Sequence, residues 1–262
     1  GQEQHGRSEG HRDVARRPEH GPLCSMSWGS VPSEGMIRRI ERIGQEQFGF
    51  EYLWIDAAWY GASDGYCPSE FEGDWYTQTG NWQINPKTHP DGLRDVSAAL
   101  QKQGLKMLLW VEPERAISTN PLPLQHPDWF LKLPDDSGAA QNWLLDLGNP
   151  AARDYVIELV STLVRDLNLG CYRQDFNCDP LPYWQANDAA DRRGITQIKH
   201  IMGLYEFWDT LLERFPHLII DNCSSGGRRI DIETLRRSMP LWRSDYQCVW
   251  DYEPEVSQMH SM

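Results

Sequence analysis

From Pro22 onward, short apolar runs alternate with longer amphipathic segments. The runs are LCSMSW (23–28), EYLWIDAAW (51–59), LKMLLWVE (105–112), GCYRQDF (170–176), HLIID (217–221) and PLWRSD (240–245), most of them bounded by Gly, Pro or Asn. Short apolar runs closed by such breakers read as buried strands. The stretches between them read as helices. Residues 32–45 offer Ser33 as a helix cap, and residues 92–103 stop at Gly104. Residues 149–167 place Asn149 at the cap and Pro150 in the first turn. Residues 195–214 carry apolar positions at helical spacing, with Pro216 beyond.

Alternation of strand and helix implies a parallel sheet. Each run also ends in a polar, charged or aromatic residue: Trp28, Asp56, Glu112, Asp175, Asp221 and Asp245. That is the pattern of a (β/α)8 TIM barrel, whose site gathers at the C-terminal ends of its strands. A doubly wound open sheet is the competing α/β reading. It carries a Gly-rich phosphate turn after its first strand, and none is present here. Six barrel-type strands and a short extra run, LLDL (144–147), leave the barrel two strands short. The expectation is therefore a barrel domain over residues 21–262, incomplete at the C-terminus. Residues 1–20 hold almost nothing apolar and read as a disordered arm, a linker or an expression remnant.

Composition narrows the function. The 262 residues carry a net charge of −13, which repels phosphate and argues against a nucleic-acid partner or an acidic membrane surface. A neutral substrate stays open. No apolar run reaches spanning length and no signal-peptide core is visible, so a cytoplasmic protein is expected. The six Cys are dispersed without a CxxC pair and read as reduced thiols, with no zinc site. The eight His show neither HExxH nor His–x–His spacing, so no metal is expected. His200 reads as a packed or exposed histidine. The 12 Trp supply flat apolar faces suited to sugars, but indole is also core filler, and about half are expected in the core.

The segment CYRQDFN (171–177) puts Arg173 and Asp175 on one face of an interior strand. Buried charge is costly unless it is paired or used. Glycoside cleavage with retention uses two carboxyls about 5–5.5 Å apart, one attacking the anomeric carbon and one protonating the leaving oxygen. Asp175 and Asp245, at the ends of different runs, are the candidate pair. Either could equally cap a helix or pair with an Arg, and spacing alone favours that reading. Glu112 and Glu114 in WVEPE read as acids behind the pocket wall or as structural ion pairs. The run 188–193 reads as a solvated loop.

Several segments then carry a family resemblance, in order along the chain: WIDAAWYG (54–61), GNWQINPKTHPDGL (80–93), GLKMLLWVEPE (104–114), HPDWFL (126–131), LLDLGNPAARDYV (144–156), YRQDFN (172–177), IDNCSSGGRRID (220–231) and LWRSDYQ (241–247). Together they resemble the α-galactosidases of glycoside hydrolase family 36, the melibiase group. The resemblance implies a retaining α-galactosidase that works by double displacement and needs no cofactor. It implies Asp175 as nucleophile, Asp245 as acid/base and Asp56 as acceptor for a sugar hydroxyl. Trp28 and Trp110 would wall the sugar pocket, with Arg173 keeping Asp175 ionised. Cys223, Ser225, Gly226 and Gly227 would form a loop whose backbone approaches the sugar; an ordinary turn is the bland alternative for the glycines. The implied partner is an oligosaccharide or glycoconjugate ending in an α-galactosyl-type sugar, and a homo-oligomer is open. The chain departs from the family pattern at Ala57, where relatives have a second acid, at Arg173, where they have Lys, and at Gln174, where they have Trp. By the resemblance, these departures lie in the part of the pocket that recognises the sugar. They leave an α-N-acetylgalactosaminidase or galactosaminidase, or a non-catalytic sugar-binding barrel, as alternatives.

Overall fold

A computed structural model describes residues 21–61, 75–134, 137–248 and 251–256; the arm expected over residues 1–20 lies outside them. Five of the six expected runs form strands: β1 (Cys24–Ser27), β2 (Tyr52–Ile55), β3 (Lys106–Val111), β7 (Leu169–Gln174) and β8 (Ile219–Asn222). They pair side by side, all parallel, in the order β1-β2-β3-β7-β8. Between β3 and β7 the chain makes a small antiparallel sheet from β4 (Arg115–Ile117), β5 (Phe130–Leu131) and β6 (Asn142–Leu145), in the order β4-β6-β5. The extra LLDL run therefore belongs to this second sheet. Among the described residues β1 and β8 are the edges of the parallel sheet, which is not closed into a barrel.

Helices lie between the parallel strands because crossovers between parallel neighbours need them. Helix α1 (Ser33–Glu46) buries Met36, Ile40 and Ile43, one stripe at helical spacing. The cap expected at Ser33 is not made. Pro32 holds that position, and Ser33 Oγ instead bonds His89 Nδ1 at 3.0 Å. Helix α2 (Arg94–Lys102) packs on α1. After α3 (Pro121–Gln125), helix α4 (Pro150–Leu167) starts as expected, with Asn149 Oδ1 accepting from the Ala151 amide at 3.0 Å. The short α5 (Leu181–Asn187) leads to α6 (Ile195–Arg214), which packs on α4. Trp59, Trp82, Trp110, Trp184 and Trp208 are buried, five of the eleven described tryptophans.

The sixth run, 240–245, is not a strand. Its Met239 amide donates to Ile220 O at 2.8 Å, but Pro240 has no N–H to continue a ladder. The next amide, on Leu241, donates to the Asp221 carboxylate at 2.8 Å rather than to a β8 carbonyl. The segment beyond leaves the sheet, and Asp245 is exposed on it rather than standing at a strand end.

Candidate active site

Register decides which side chains meet. Side chains on a strand alternate between its two faces. Met26 is opposite Trp54, Trp54 opposite Leu108, Leu108 opposite Cys171, and Cys171 opposite Ile219, so these residues form one layer. Two residues further, toward the C-terminal ends, the same face carries Trp28, Asp56, Trp110, Arg173 and Asp221, with Trp110 opposite Arg173 and Arg173 opposite Asp221. Asp175 and Cys223 follow one layer higher. The residues expected from sequence thus share one face and one end of the sheet, Gly226, Gly227 and Asp245 excepted.

Asp175 is 8 % exposed and its carboxylate is held from four directions. Oδ2 accepts from Trp110 Nε1 at 3.1 Å and Asn177 Nδ2 at 2.7 Å. Oδ1 accepts from the amides of Phe176 at 2.8 Å and Ser225 at 2.7 Å. Burial alone would raise its pKa. The Ser225 amide, the Arg173 charge, the Asn177 side chain and the Phe176 amide outweigh burial and hold it below the usual carboxylate range.

Arg173 is the cation of the layer. Its Nη1 donates to Asp221 Oδ2, its Nη2 to Cys223 Sγ at 3.0 Å, and its guanidinium lies 4.2 Å from the centre of the Trp54 ring. Its Nε has no hydrogen-bond partner and lies 4.0 Å from Asp56 Oδ2. Asp56 accepts from Trp54 Nε1 and from the Ala57 amide, each at 2.8 Å. Burial nonetheless pushes its carboxyl up to about 6, with Arg173 opposing. Burial also raises the Asp221 carboxyl and the Cys223 thiol, again against Arg173.

An indole wall stands beside these charges. Trp110 meets Trp75 edge-on at 5.7 Å and stacks parallel on Tyr60 at 5.9 Å; Trp28 touches Trp75 at 6.4 Å. Trp28 thus joins the wall through Trp75.

Ser225 and Gly226 both have left-handed backbone, with φ of 53° and 73°. This turn presents the Ser225 amide to Asp175. A Cβ on Gly226 would sit 2.4 Å from Asp245 N and 2.9 Å from Asp245 Cγ, and one on Gly227 2.5 Å from Arg243 O. The close approach that needs these glycines is therefore to the chain's own 243–245 segment. It brings Asp245 against the turn that also touches Asp175. Asp245 Oδ1 accepts from Trp242 Nε1 at 2.8 Å, and Trp242 meets Trp54 edge-on at 5.7 Å.

Gln174 points to the opposite face from Arg173 and Asp175. Its Oε1 accepts from Trp208 Nε1 at 2.6 Å and Tyr172 Oη at 3.0 Å, and its Nε2 donates to Glu114 Oε1 at 2.7 Å. Glu114 also takes Arg229 Nη1 and His200 Nε2, and Glu112 takes Arg115 at 2.8 and 2.6 Å. Both glutamates are thus in structural ion pairs.

Sequence reading passed over Ser225 as a hydrogen-bond donor to Asp175, Asp221 as the partner of Arg173, and Trp54 and Trp75. Trp54 was legible, because it alternates with Asp56 and must share its face. The Asp221–Arg173 pair needed the register. Among the described residues no group of three or more His, Cys, Asp and Glu side chains is placed to hold a metal ion. None of the described helices is long and apolar enough to cross a membrane.

Acids, one guanidinium and a row of indoles thus gather at the C-terminal ends of the parallel sheet of an α/β protein. The chain belongs to the melibiase family, whose model matches residues 21–250. It is 31 % identical over 213 residues to an α-galactosidase of Escherichia coli, covering 80 % of this chain and 27 % of that protein. It is 28 % identical over 228 residues to α-galactosidase 1 of Pediococcus pentosaceus, covering 86 % of this chain and 30 % of that protein. The fold matches the crystal structure of the A355E variant of the family 36 α-galactosidase AgaA from Geobacillus stearothermophilus, in complex with 1-deoxygalactonojirimycin. The TM-score is 0.73 at 25 % identity, covering 87 % of this chain and 31 % of that one. The chain thus spans about three tenths of the length of these relatives.

Proposed function

We propose that this chain carries the catalytic centre of a retaining α-galactosidase, with its five parallel strands forming an arc of a (β/α)8 barrel. The observation that carries this reading is the Ser225–Gly226 turn. One residue of it donates to Asp175, and the next is in contact with Asp245. A buried carboxylate held ionised and a second, exposed carboxyl therefore lie next to consecutive residues of one turn.

In the first step an Asp175 oxygen bonds to the anomeric carbon as the glycosidic C–O bond breaks, and Asp245 gives its proton to the departing oxygen. In the second step Asp245 takes a proton from water, whose oxygen bonds to the anomeric carbon as the bond to Asp175 breaks. Two inversions leave the configuration unchanged. The Asp56 carboxylate, 4.0 Å from Arg173 Nε, is the acceptor we assign to a sugar hydroxyl, with the Arg173 charge beside it. A related AgaA variant has been crystallised with raffinose, and an oligosaccharide ending in α-galactose is the substrate class we assign here.

Proton NMR of p-nitrophenyl α-galactoside hydrolysis tests the reading. The first-formed sugar is expected to be α-galactose. First-formed β-galactose would overturn the retaining mechanism, and binding without turnover would favour a non-catalytic sugar-binding barrel. Faster turnover of the 2-acetamido analogue would instead favour the N-acetylgalactosaminidase reading, for which the missing acid at Ala57 is the motivating difference.

Asp56 gives this site a pH dependence. A sugar hydroxyl donates more strongly to the ionised carboxyl than to the neutral one, so KM is expected to rise as the pH falls through about 6. In Asp56→Asn that dependence should vanish, with KM high throughout. Stability carries the opposite sign. The carboxyl's pKa is raised by folding, so its contribution is full below about 4, its unfolded value, and is lost as the pH rises through about 6. A wild-type KM that is flat between these limits would exclude Asp56 from hydroxyl binding.

A further inference from the structure

Asp245 is exposed, on a segment outside the strands. An acid/base there must still meet the departing oxygen and then a water at one point. What orients it matters only if Asp245 has the role proposed above, and the inference drawn here rests on that reading.

The segment is tied to the sheet at Met239 and Leu241, whose amides donate to Ile220 O and to the Asp221 carboxylate, each at 2.8 Å. Leu241 also packs, with Trp54, against the cluster of Tyr52, Leu108 and Cys171. Trp242 then meets the Trp54 ring edge-on, with centroids 5.7 Å apart and planes at 80°, an arrangement that ring quadrupoles favour. From that position Trp242 Nε1 donates to Asp245 Oδ1 at 2.8 Å. Trp54 is itself fixed. Its Nε1 donates to Asp56 Oδ2 at 2.8 Å, and the Arg173 guanidinium lies 4.2 Å from its ring centre. Two indoles thus connect the layer of Asp56 and Arg173 to Asp245.

The direction of the last bond carries chemistry. An indole N–H donates and never accepts. The better acceptor of a neutral carboxyl is its carbonyl oxygen, so a donor on Oδ1 assigns the proton to Oδ2. In the first step Oδ2 passes that proton to the departing oxygen as the glycosidic C–O bond breaks and an Asp175 oxygen bonds to the anomeric carbon. Asp245 becomes a carboxylate as it does so. The bond from Trp242 is then charge-assisted and about twice as strong as between neutral groups. It is stronger in the transition state than before it, which is the condition for an interaction to speed a step. We infer that Trp242 is a positioning residue for this proton transfer, holding Oδ1 so that Oδ2 carries the proton, with Trp54 as its support.

Leaving-group dependence tests this. The ratio kcat/KM reports transition-state stabilisation up to cleavage of the glycosidic bond, before Asp245 acts as base. p-Nitrophenolate departs with little need of a proton, whereas the sugar alkoxide released from raffinose needs one. Trp242→Phe keeps a ring against Trp54 and removes the N–H. It is expected to lower kcat/KM for raffinose about tenfold, the worth of a hydrogen bond to a charged group, and for p-nitrophenyl α-galactoside no more than about twofold. Trp54→Leu removes the support and also the stack on Arg173, so both values should fall, with raffinose the more affected. Comparing the two substrates cancels any change in the fraction of folded enzyme. Asp245→Ala is the reference. If it lowers both values equally, or if the wild type cleaves neither substrate, the acid role of Asp245 fails and the inference fails with it. If Asp245→Ala is selective for raffinose while Trp242→Phe affects both substrates alike or neither, the inference alone is overturned and Trp242 is packing. An unselective loss in Trp54→Leu would remove Trp54 as the support.

Discussion

Asp175→Ala is expected to lower turnover of p-nitrophenyl α-galactoside by at least about 10⁴-fold, the scale on which loss of a catalytic nucleophile acts. The same protein should stay folded by circular dichroism. Four donors converge on the carboxylate, from Trp110, Asn177, Phe176 and Ser225. With the carboxylate gone they surround a vacancy large enough for a small anion. Added azide is therefore expected to restore part of the rate by attacking the anomeric carbon from the emptied side, which gives the β-galactosyl azide. In Asp245→Ala the Asp175 ester still forms with a good leaving group, and azide then displaces Asp175 to give the α-galactosyl azide. The two anomers distinguish the two roles without any appeal to rate. Asp175→Asn, which keeps the shape and accepts some of the same bonds, should be as inactive and more stable. Substantial turnover in both Asp175 variants would remove this residue from the chemistry.

Much of this site is legible in the sequence because a strand has period two. Arg173 and Asp175 share a face by that rule, and Gln174 is excluded from it by the same rule. Gln174 instead bonds Trp208, Tyr172 and Glu114. Five strands were equally legible, since each is a short apolar run with breakers at its ends. The run 240–245 has the same look, and what cancels it is a long-range competitor. The Asp221 carboxylate takes the Leu241 amide, and Pro240 has no amide to offer. No local pattern announces that. The glycines show a related limit. Gly226 and Gly227 announce a close approach, but only the folded chain reveals that the approaching atoms belong to Asp245 and Arg243. The Arg173–Asp221 pair likewise joins residues 48 positions apart through strand register.

The ion cluster behind the site carries the other large expected effect. Glu114 is fully buried and accepts from Arg229 at 2.7 and 3.0 Å, from Gln174 at 2.7 Å and from His200 at 2.8 Å. Burial raises its pKa, and Arg229 and His200 overturn that and bring it down to about 2. Breaking a buried pair from one side strands the other charge, at a cost of about 3–5 kcal/mol. Glu114→Ala is therefore expected to lower the melting temperature by about 10 °C. The depressed pKa fixes the pH dependence as well. The stability that Glu114 contributes is complete above its unfolded value, about 4.3, and is lost as the pH falls through about 2. A pair removed whole behaves differently, since an apolar pair of similar volume often costs nothing. Glu114→Leu combined with Arg229→Met is thus expected to recover the part of the loss that comes from the stranded Arg229, while Gln174 Nε2 and His200 Nε2 still lack their acceptor. If the single and double variants melt together, the stranded cation is not the origin of the loss. The packing around Gln174, which Glu114 also anchors, would then be its source.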